Sequence, residues 1–454
     1  MRIDFDSSRT LRDEDYVSLT GLNKPAFDSL FQYTKEYVRN TPARTSRMSL
    51  GIFLMKLRSG ISNKLLSTIF SITKSSIRRA IASVRIALSN NFVPQHIGLQ
   101  HVSRQEIIEK HTRPMAQSLL GNLGETQAIL VLDGTYIYIQ KSNNFNFQRR
   151  SYSVHKGRPL VKMMIIVSTD GYFLTACGPY LADSKNNDAS ILTHMLKTNV
   201  EDIENWVEQE DIFVVDRGFR DSIELLEELG IKAEMPKFIK KGEKQMSTQD
   251  ANDSRLVTKI RWVVESANSR IKQWKYLDHV LPTNQVPHIG EYVRIVCGIC
   301  NKFFPPLSSG ESYHDQELAA KMMYLSKQVN ELKAWVEENN LERRTAKWIN
   351  TDDLAIDDFP LLDEEQLRNI TCGVYQLKMS TSYIQEYMDG DCQIQIHKEE
   401  DHLLRVRLQS RHVSSKSYLL WIKFSASNII AWYCKCRAGA RVVGVCSHIA
   451  AVLW

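Results

Sequence analysis

The hydrophobic period of this chain changes at Ala128, and that change limits the folds open to it. Before it, apolar residues recur at helical spacing. From AILVLDGTYIYI onward they form short continuous runs and strict alternation, the pattern of strands. VKMMIIVSTDGYFLTACG predicts two strands joined at Thr169-Asp170-Gly171, DIFVVDRGF a short buried strand, and IKAEMP another. Helical stretches are predicted at Asp188 to Leu196, at Val200 to Gln209, and in DSIELLEELG, which stops at Gly230. Strands first, then alternating helix and strand, predict an α/β domain with a mixed sheet. A polar insertion, KFIKKGEKQMSTQDANDS, then leads into a long amphipathic helix.

At 454 residues the chain is long enough for about three domains. No apolar run reaches membrane-spanning length, so no membrane partner is expected. The first residues, MRIDFDSSRTLRDEDY, are polar and acidic, which argues against a secretory signal. The eight cysteines are therefore read as intracellular thiols available for metal.

Charge is uneven. Between Ser46 and Asn90 stand eight Lys or Arg and no Asp or Glu, whereas Asp352 to Glu365 is strongly acidic. Unopposed cations point to a polyanionic partner; a merely solvated helical face normally mixes both signs. After the break at NTPARTS, three helical pieces follow: SLGIFLMKLRSG, SNKLLSTIFS and TKSSIRRAIASVRIALSN. Thr73 is the predicted N-cap of the third. Leu65, Leu66, Ile69, Ile72, Ile77 and Ile81 are spaced to lock two helices of a helix-turn-helix, leaving Lys74, Ser75, Arg78 and Arg79 outward as DNA contacts.

Three carboxylates stand out. On a helical wheel Leu256, Ile260, Val263, Val264, Ala267, Ile271 and Trp274 share one side of the long helix, and Thr258, Arg261, Glu265, Asn268, Ser269 and Lys272 the other. Glu265 has a plain reading, an i,i+4 pair with Arg261 of small stabilising effect. Asp133 in VLDGTYIYI and Asp216 in FVVDRGF each end a run of buried strand residues, a costly place for an acid unless it is exposed or holds a cation. Two such strands and one helix, each offering one acid, suit Mg²⁺ (or Mn²⁺), which leaves Arg261 and Lys272 to hold a DNA backbone.

The ordered set VLDGTYIYI, SYSVHKGRPLVKMMIIVSTDGYF, DSKNNDASIL, VVDRGF and SRLVTKIRWVVESANSRIKQW resembles the DDE domain of Harbinger-type transposases, from Ala128 to Phe304. The upstream helices resemble the helix-turn-helix that precedes it in that family. The resemblance implies an RNase H-like fold whose metal-binding acids are Asp133, Asp216 and Glu265. It also implies a transposase that cuts and joins DNA at transposon ends and target, in the nucleus, as a homo-oligomer and with an accessory DNA-binding protein. Asp183 and Asp188 are read as ordering the site or capping the next helix. His155, in a basic patch, is read either as a DNA contact or as a surface residue without a role. The alternative function is a domesticated or inactive derivative that binds DNA without cleaving it.

From Ser308 to Asn350 the chain is charged and helical, and KMMYLSKQVNELKAWVEENN predicts an amphipathic connector or partner helix. Beyond the acidic segment CQIQIHKE, HLLRVRLQS, SYLLWIKFS and IIAWYCKC predict antiparallel strands of a separate, small β-rich unit. Cys434, Cys436, Cys446 and His448 form two close pairs of zinc-type donors. Their C-x-C…C-x-H spacing, with CRAG and HIAAVLW around it, resembles a SWIM-type zinc finger. Cys177, Cys297, Cys300, Cys372 and Cys392 are read as buried thiols. Only six residues follow His448, from which a truncated terminus is expected. The predicted organisation is therefore multidomain α/β. It comprises an N-terminal segment 1–45, a helix-turn-helix region 46–100, an RNase H-like domain 125–305, a charged helical and acidic linker 306–365, and a β-rich zinc unit 366–454.

Overall fold

The computed structural model describes residues 3–7, 11–122, 126–308, 312–343, 347–350, 358–380, 393–400, 402–410 and 413–454. Cys392 and part of the acidic stretch after Asp352 lie outside them. The chain divides into two units: residues 1–117, 121–234 and 260–311 in the first, and 118–120, 235–259 and 312–454 in the second.

The first unit begins with helices α1 (Asp13–Thr20), α2 (Lys24–Phe31), α3 (Ser46–Ser59), α4 (Asn63–Phe70) and α5 (Lys74–Asn91). Leu50, Ile52, Phe53, Leu54 and Leu57 of α3 are all fully buried. A helix apolar on every side must be central to its bundle, and α3 packs against both α1 and α5. Thr45, Ser62 and Thr73 cap α3, α4 and α5 through their hydroxyl oxygens, as predicted for Thr73. Ser71 turns the chain between α4 and α5 in the left-handed conformation. Leu66, Ile77 and Ile81 are buried as predicted, but Leu65 is 47% exposed. The correction has a simple cause: the core stripe of α4 is Leu66 and Phe70, one turn apart, and Leu65 lies off it.

The mixed sheet follows. β1 (Ile129–Tyr138) pairs antiparallel with β2 (Arg158–Ser168), and β2 antiparallel with β3 (Phe173–Leu181). On its other edge β1 pairs parallel with β4 (Ile212–Val214), which pairs parallel with β5 (Lys232–Glu234). The order is thus β3-β2-β1-β4-β5, with the short strand Tyr152–Ser153 also on β2. The predicted turn joins β2 to β3: Gly171 has φ +90°, and Asp170 Oδ1 accepts the Tyr172 N–H at 3.0 Å. Helix α6 (Asp188–Lys197) forms where predicted. The helix expected at Val200 to Gln209 shrinks to one 3₁₀ turn and Ile203–Trp206, because Asn199, Glu201 and Asp202 adopt positive φ.

Helix α7 runs from Thr248 to Lys272, so the end of the expected polar insertion is already helical. Ile260, Val263, Val264, Ala267 and Ile271 are buried, as the wheel required. α8 (Lys275–Asp278) and α9 (Val286–Phe303) complete the unit. α9 packs closely on β3: a Cβ at Gly290 would come 2.7 Å from the Gly178 carbonyl. Cys297 and Cys300 are buried on α9, as is Cys177 on β3.

The second unit contains a five-stranded antiparallel sheet, β6 (Trp348–Asn350), β7 (Gln393–His397), β8 (Leu403–Ser410), β9 (Val413–Phe424) and β10 (Ile429–Cys434), in sequential order. The last four match the alternation in the sequence. The expected single helix before them is two, α10 (Ser312–Ser326) and α11 (Glu331–Glu338). Asn330 breaks it: its Oδ1 caps α11 at Lys333, and its Nδ2 donates to the Trp432 and Ala440 carbonyls. α12 (Glu364–Thr371) and α13 (Ser447–Leu453) pack on the sheet through Leu367 and Ile449. Residues 235–259 belong to this unit, although the sequence places them inside the central domain.

Candidate active site and metal centre

Asp133 stands inside β1, which continues to Tyr138, and not at its end. The parallel pair of β1 and β4 closes on Val131 and Val214. Asp133 and Asp216 lie two residues beyond that pair on their respective chains. They therefore emerge together at the carboxyl end of the parallel strands, the usual ligand end of such a sheet. Asp216 opens the 3₁₀ turn Arg217–Ser222, its Oδ1 accepting the Gly218 N–H at 2.7 Å.

Glu265 and Asn268 reach this end from α7. Asn268 Nδ2 donates to Asp133 Oδ2 at 2.8 Å, while its own Oδ1 is buried without a partner among the described residues. Burial, opposed by the Arg261 charge and reinforced by Asp216, Asp188 and Glu265, pushes the Asp133 carboxyl up to about 7. Four acids thus act on one another around β1, in a setting where an unpaired charge is costly.

Asp188 is placed more centrally than its reading as a cap implies. Asn187 is the cap of α6, accepting the Ser190 N–H at 2.8 Å. Asp188 Oδ1 instead takes the Lys162 ammonium at 3.1 Å. Its carboxylate fills the space left by two glycines. A Cβ at Gly134 would lie 2.7 Å from Asp188 Oδ1; one at Gly218 would lie 2.9 Å from Asp216 Oδ1 and 3.4 Å from Asp188 Oδ2. The D-G and D-R-G spacings in the sequence carried this signal. Asp183 stays on the rim, bound to Arg150 at 2.9 Å.

The two cations of α7 named as DNA contacts both have partners within the protein. Arg261 pairs with Glu265, the i,i+4 contact of the plain reading. Lys272 is half-buried and donates to the carbonyls of Tyr136 and Leu277, with burial lowering its ammonium to about 8. It is a brace between α7 and β1. Among the described residues, the four acids do not form a group whose ligand oxygens all lie within 4.8 Å. Carboxylates are nonetheless the donor type that Mg²⁺ prefers. Nearby, His155 is exposed, and Lys156 and Arg158 lie over the rings of Tyr136 and Tyr138 at 4.6 Å each.

The cysteine–histidine set does gather: one ligand atom from each of Cys434, Cys436, Cys446 and His448 lies within 4.8 Å of the others, and all four residues are buried. His448 Nδ1 is 3.8 Å from Cys434 Sγ and 3.9 Å from Cys446 Sγ. Tetrahedral zinc with ordinary bond lengths has edges of about 3.5–3.8 Å, so these donors fit it. The turn after β10 needs Gly439, since a Cβ there would run into the Cys434 carbonyl. Burial pushes the Cys434 thiol well up. Although burial also opposes ionisation of Cys446, hydrogen bonds from Cys434 and Cys436 hold that thiol well below its ordinary value.

Sequence reasoning missed what supports this loop. Gln245 Nε2 donates to the carbonyls of Cys434 (2.8 Å) and Cys436 (2.7 Å). Asn252 Oδ1 accepts the N–H groups of Val442 and Val443. Both lie in KFIKKGEKQMSTQDANDS, which reads as a polar insertion in the sequence.

On α5, Lys74, Ser75, Arg78 and Arg79 are exposed as expected. No helix among the described residues is long and apolar enough to cross a membrane.

No curated protein matches the chain. Among solved structures, the Mos1 transposase paired-end complex with left transposon end is similar over 60% of this chain and 83% of that chain. Its identity is 12% and its TM-score 0.15, too low for the likeness to carry any argument. Residues 132–301, which span Asp133, Asp188, Asp216 and Glu265, match the family described as DDE superfamily endonuclease.

Proposed function

We propose that the first unit is an RNase H-like DDE endonuclease of transposase type, cutting DNA phosphodiesters and transferring the freed strands. The observation that carries this is the burial of Asp133 among Asp188, Asp216 and Glu265, within the segment that matches the endonuclease family. The sheet order, three antiparallel strands followed by two parallel ones, supports the fold.

Asp133, Asp216 and Glu265 would hold Mg²⁺ or Mn²⁺. Such ions, when bound, activate a water or sugar hydroxyl and stabilise the leaving oxygen in displacement at phosphorus. Asn268 orients the Asp133 carboxylate; Lys162 neutralises Asp188, which spaces the two strand ends. Arg261, paired with Glu265 beside Asp133, would contact the substrate phosphate. Lys74, Ser75, Arg78 and Arg79 on α5 would contact DNA as part of a helix-turn-helix. Cys434, Cys436, Cys446 and His448 would bind zinc in a SWIM-type unit that supports binding rather than chemistry. Nuclear location, self-association and an accessory DNA-binding protein belong to the same proposal.

The test is cleavage of duplex DNA taken from the genomic sequence on either side of the gene, with and without Mg²⁺. Asp216→Asn should abolish metal-dependent cleavage and leave DNA binding intact; retained cleavage rejects the assignment. A second reading, a DNA-binding derivative without cleavage, is favoured by the Arg261–Glu265 pair. It predicts no cleavage by the native chain at any Mg²⁺ concentration, with binding preserved.

A further inference from the structure

A cleft of about 620 Å³ lies in the first unit between α5 and the segment Pro282–Tyr292. That size is within the range of small-ligand sites, about 300–1,000 Å³. One wall carries Lys74, Arg78 and Arg85 from α5, with Lys56 from α3; the other carries Asn284, Gln285 and His288. Among the described residues no carboxylate lines it. Glu291, which does not line it, is shared by the lining residues Arg85 and His288.

The cations are not balanced locally. Lys74 and Arg78 are exposed and, among the described residues, have neither an ion pair nor a hydrogen bond. Lys56 is half-buried over the Tyr276 ring at 5.0 Å and donates to the Ile61 carbonyl, with no acid beside it. Burial accordingly lowers its ammonium to about 8. The Asn63 Oδ1 at the mouth of the same cleft is buried without a partner. Cations that line one cleft without acids among them repel one another unless an anion joins them. Tyr276 and Tyr292 are almost wholly buried, so no ring face is open for a base to stack on.

We propose that this cleft is a phosphate site, in which Lys74 and Arg78 contact the anion from α5 and the side-chain amides of Asn284 and Gln285 contact it from the opposite wall. The ligand class is a phosphate group, carried either by a DNA backbone or by a free polyphosphate. The proposal rests on the DNA-contacting reading of α5 only for the first of these sources. If DNA supplies the phosphate, the strand on α5 is also gripped by the 282–292 segment of the endonuclease region, which fixes its register relative to the nuclease site.

The experiment measures pyrophosphate binding by calorimetry and labelled duplex binding by anisotropy, on the full chain. The native protein should bind pyrophosphate, and duplex should compete with it. Arg78→Ala and Gln285→Glu should weaken both ligands about tenfold or more, the scale of one lost charged hydrogen bond. Arg78→Ala should also lower the salt slope for duplex by about 1. Arg79→Ala, outside the cleft, should weaken duplex alone. Thermal melting of Gln285→Glu checks its fold, and Lys56→Met gives a second, charge-removing variant. Pyrophosphate binding without duplex competition supports a free-phosphate site and rejects the DNA reading of α5. Absence of pyrophosphate binding, or Gln285→Glu and Lys56→Met leaving it unchanged, overturns the proposal.

Discussion

Asn268 holds Asp133: its Nδ2 lies 2.8 Å from Asp133 Oδ2, joining helix α7 to the central strand. Glu265 stands three residues earlier on the same helix. One helix therefore offers a carboxylate and, a turn later, the amide that aims the strand's carboxylate. If Asp133 holds a metal, Asn268 is a positioning residue. Asn268→Ala should raise the Mg²⁺ concentration for half-maximal cleavage about 10–100-fold, the usual size of such supporting effects. The melting temperature should hardly change. An unchanged Mg²⁺ dependence would remove Asn268 from the site.

The glycines beside the acids make room for Asp188. Gly134→Ala brings a methyl 2.7 Å from Asp188 Oδ1 and should cost about 1–3 kcal/mol, as overpacking does. Because the clash is with the Asp188 side chain, Gly134→Ala combined with Asp188→Ala should recover part of that loss. Denaturant melts of the two single variants and the double variant decide this. Strict additivity would show that Gly134 is needed for another reason.

Lys272 gives a pH signature. Burial lowers its ammonium from 10.5 to about 8 in the folded chain. Between those values the unfolded chain binds more protons, so stability rises with pH. Its contribution is full above about 10.5 and is lost as pH falls through about 8, up to about 3 kcal/mol in all. The stability difference between the native chain and Lys272→Met should therefore move in favour of the native chain as pH rises from 8 toward 10.5. Parallel pH profiles of the denaturation midpoint would contradict the brace.

The cysteine–histidine set, read as a zinc site, predicts one Zn²⁺ per chain by atomic absorption. Cobalt substitution should give the visible spectrum of a tetrahedral three-thiolate, one-imidazole site. Chelation, or Cys436→Ser, should lower the melting temperature of the second unit, since metal affinity at such sites is also folding energy. Gly439→Ala should act in the same direction by displacing the Cys434 carbonyl. A chain that melts identically with and without chelator excludes a structural zinc.

Local pattern carried much of this protein. Strand alternation located β1 to β3 and β7 to β10, small polar caps located α5, and cysteine spacing located the gathered S₃N set, because each depends on neighbours within a few residues. The acids Asp133, Asp216 and Glu265 could be named from their unusual placement, but not their surroundings. Helical spacing put Asn268 on the face of Glu265, but its bond to Asp133 and that of Lys162 to Asp188 join residues far apart in sequence, which no short-range pattern announces. Gln245 and Asn252 looked like polar insertion residues, yet they brace the zinc loop. The pairing of Glu265 was the hardest to judge. Sequence offered both an intrahelical partner and distant acids, and only tertiary structure, which sets how far those acids approach, could decide between a local Coulomb contact and a shared site.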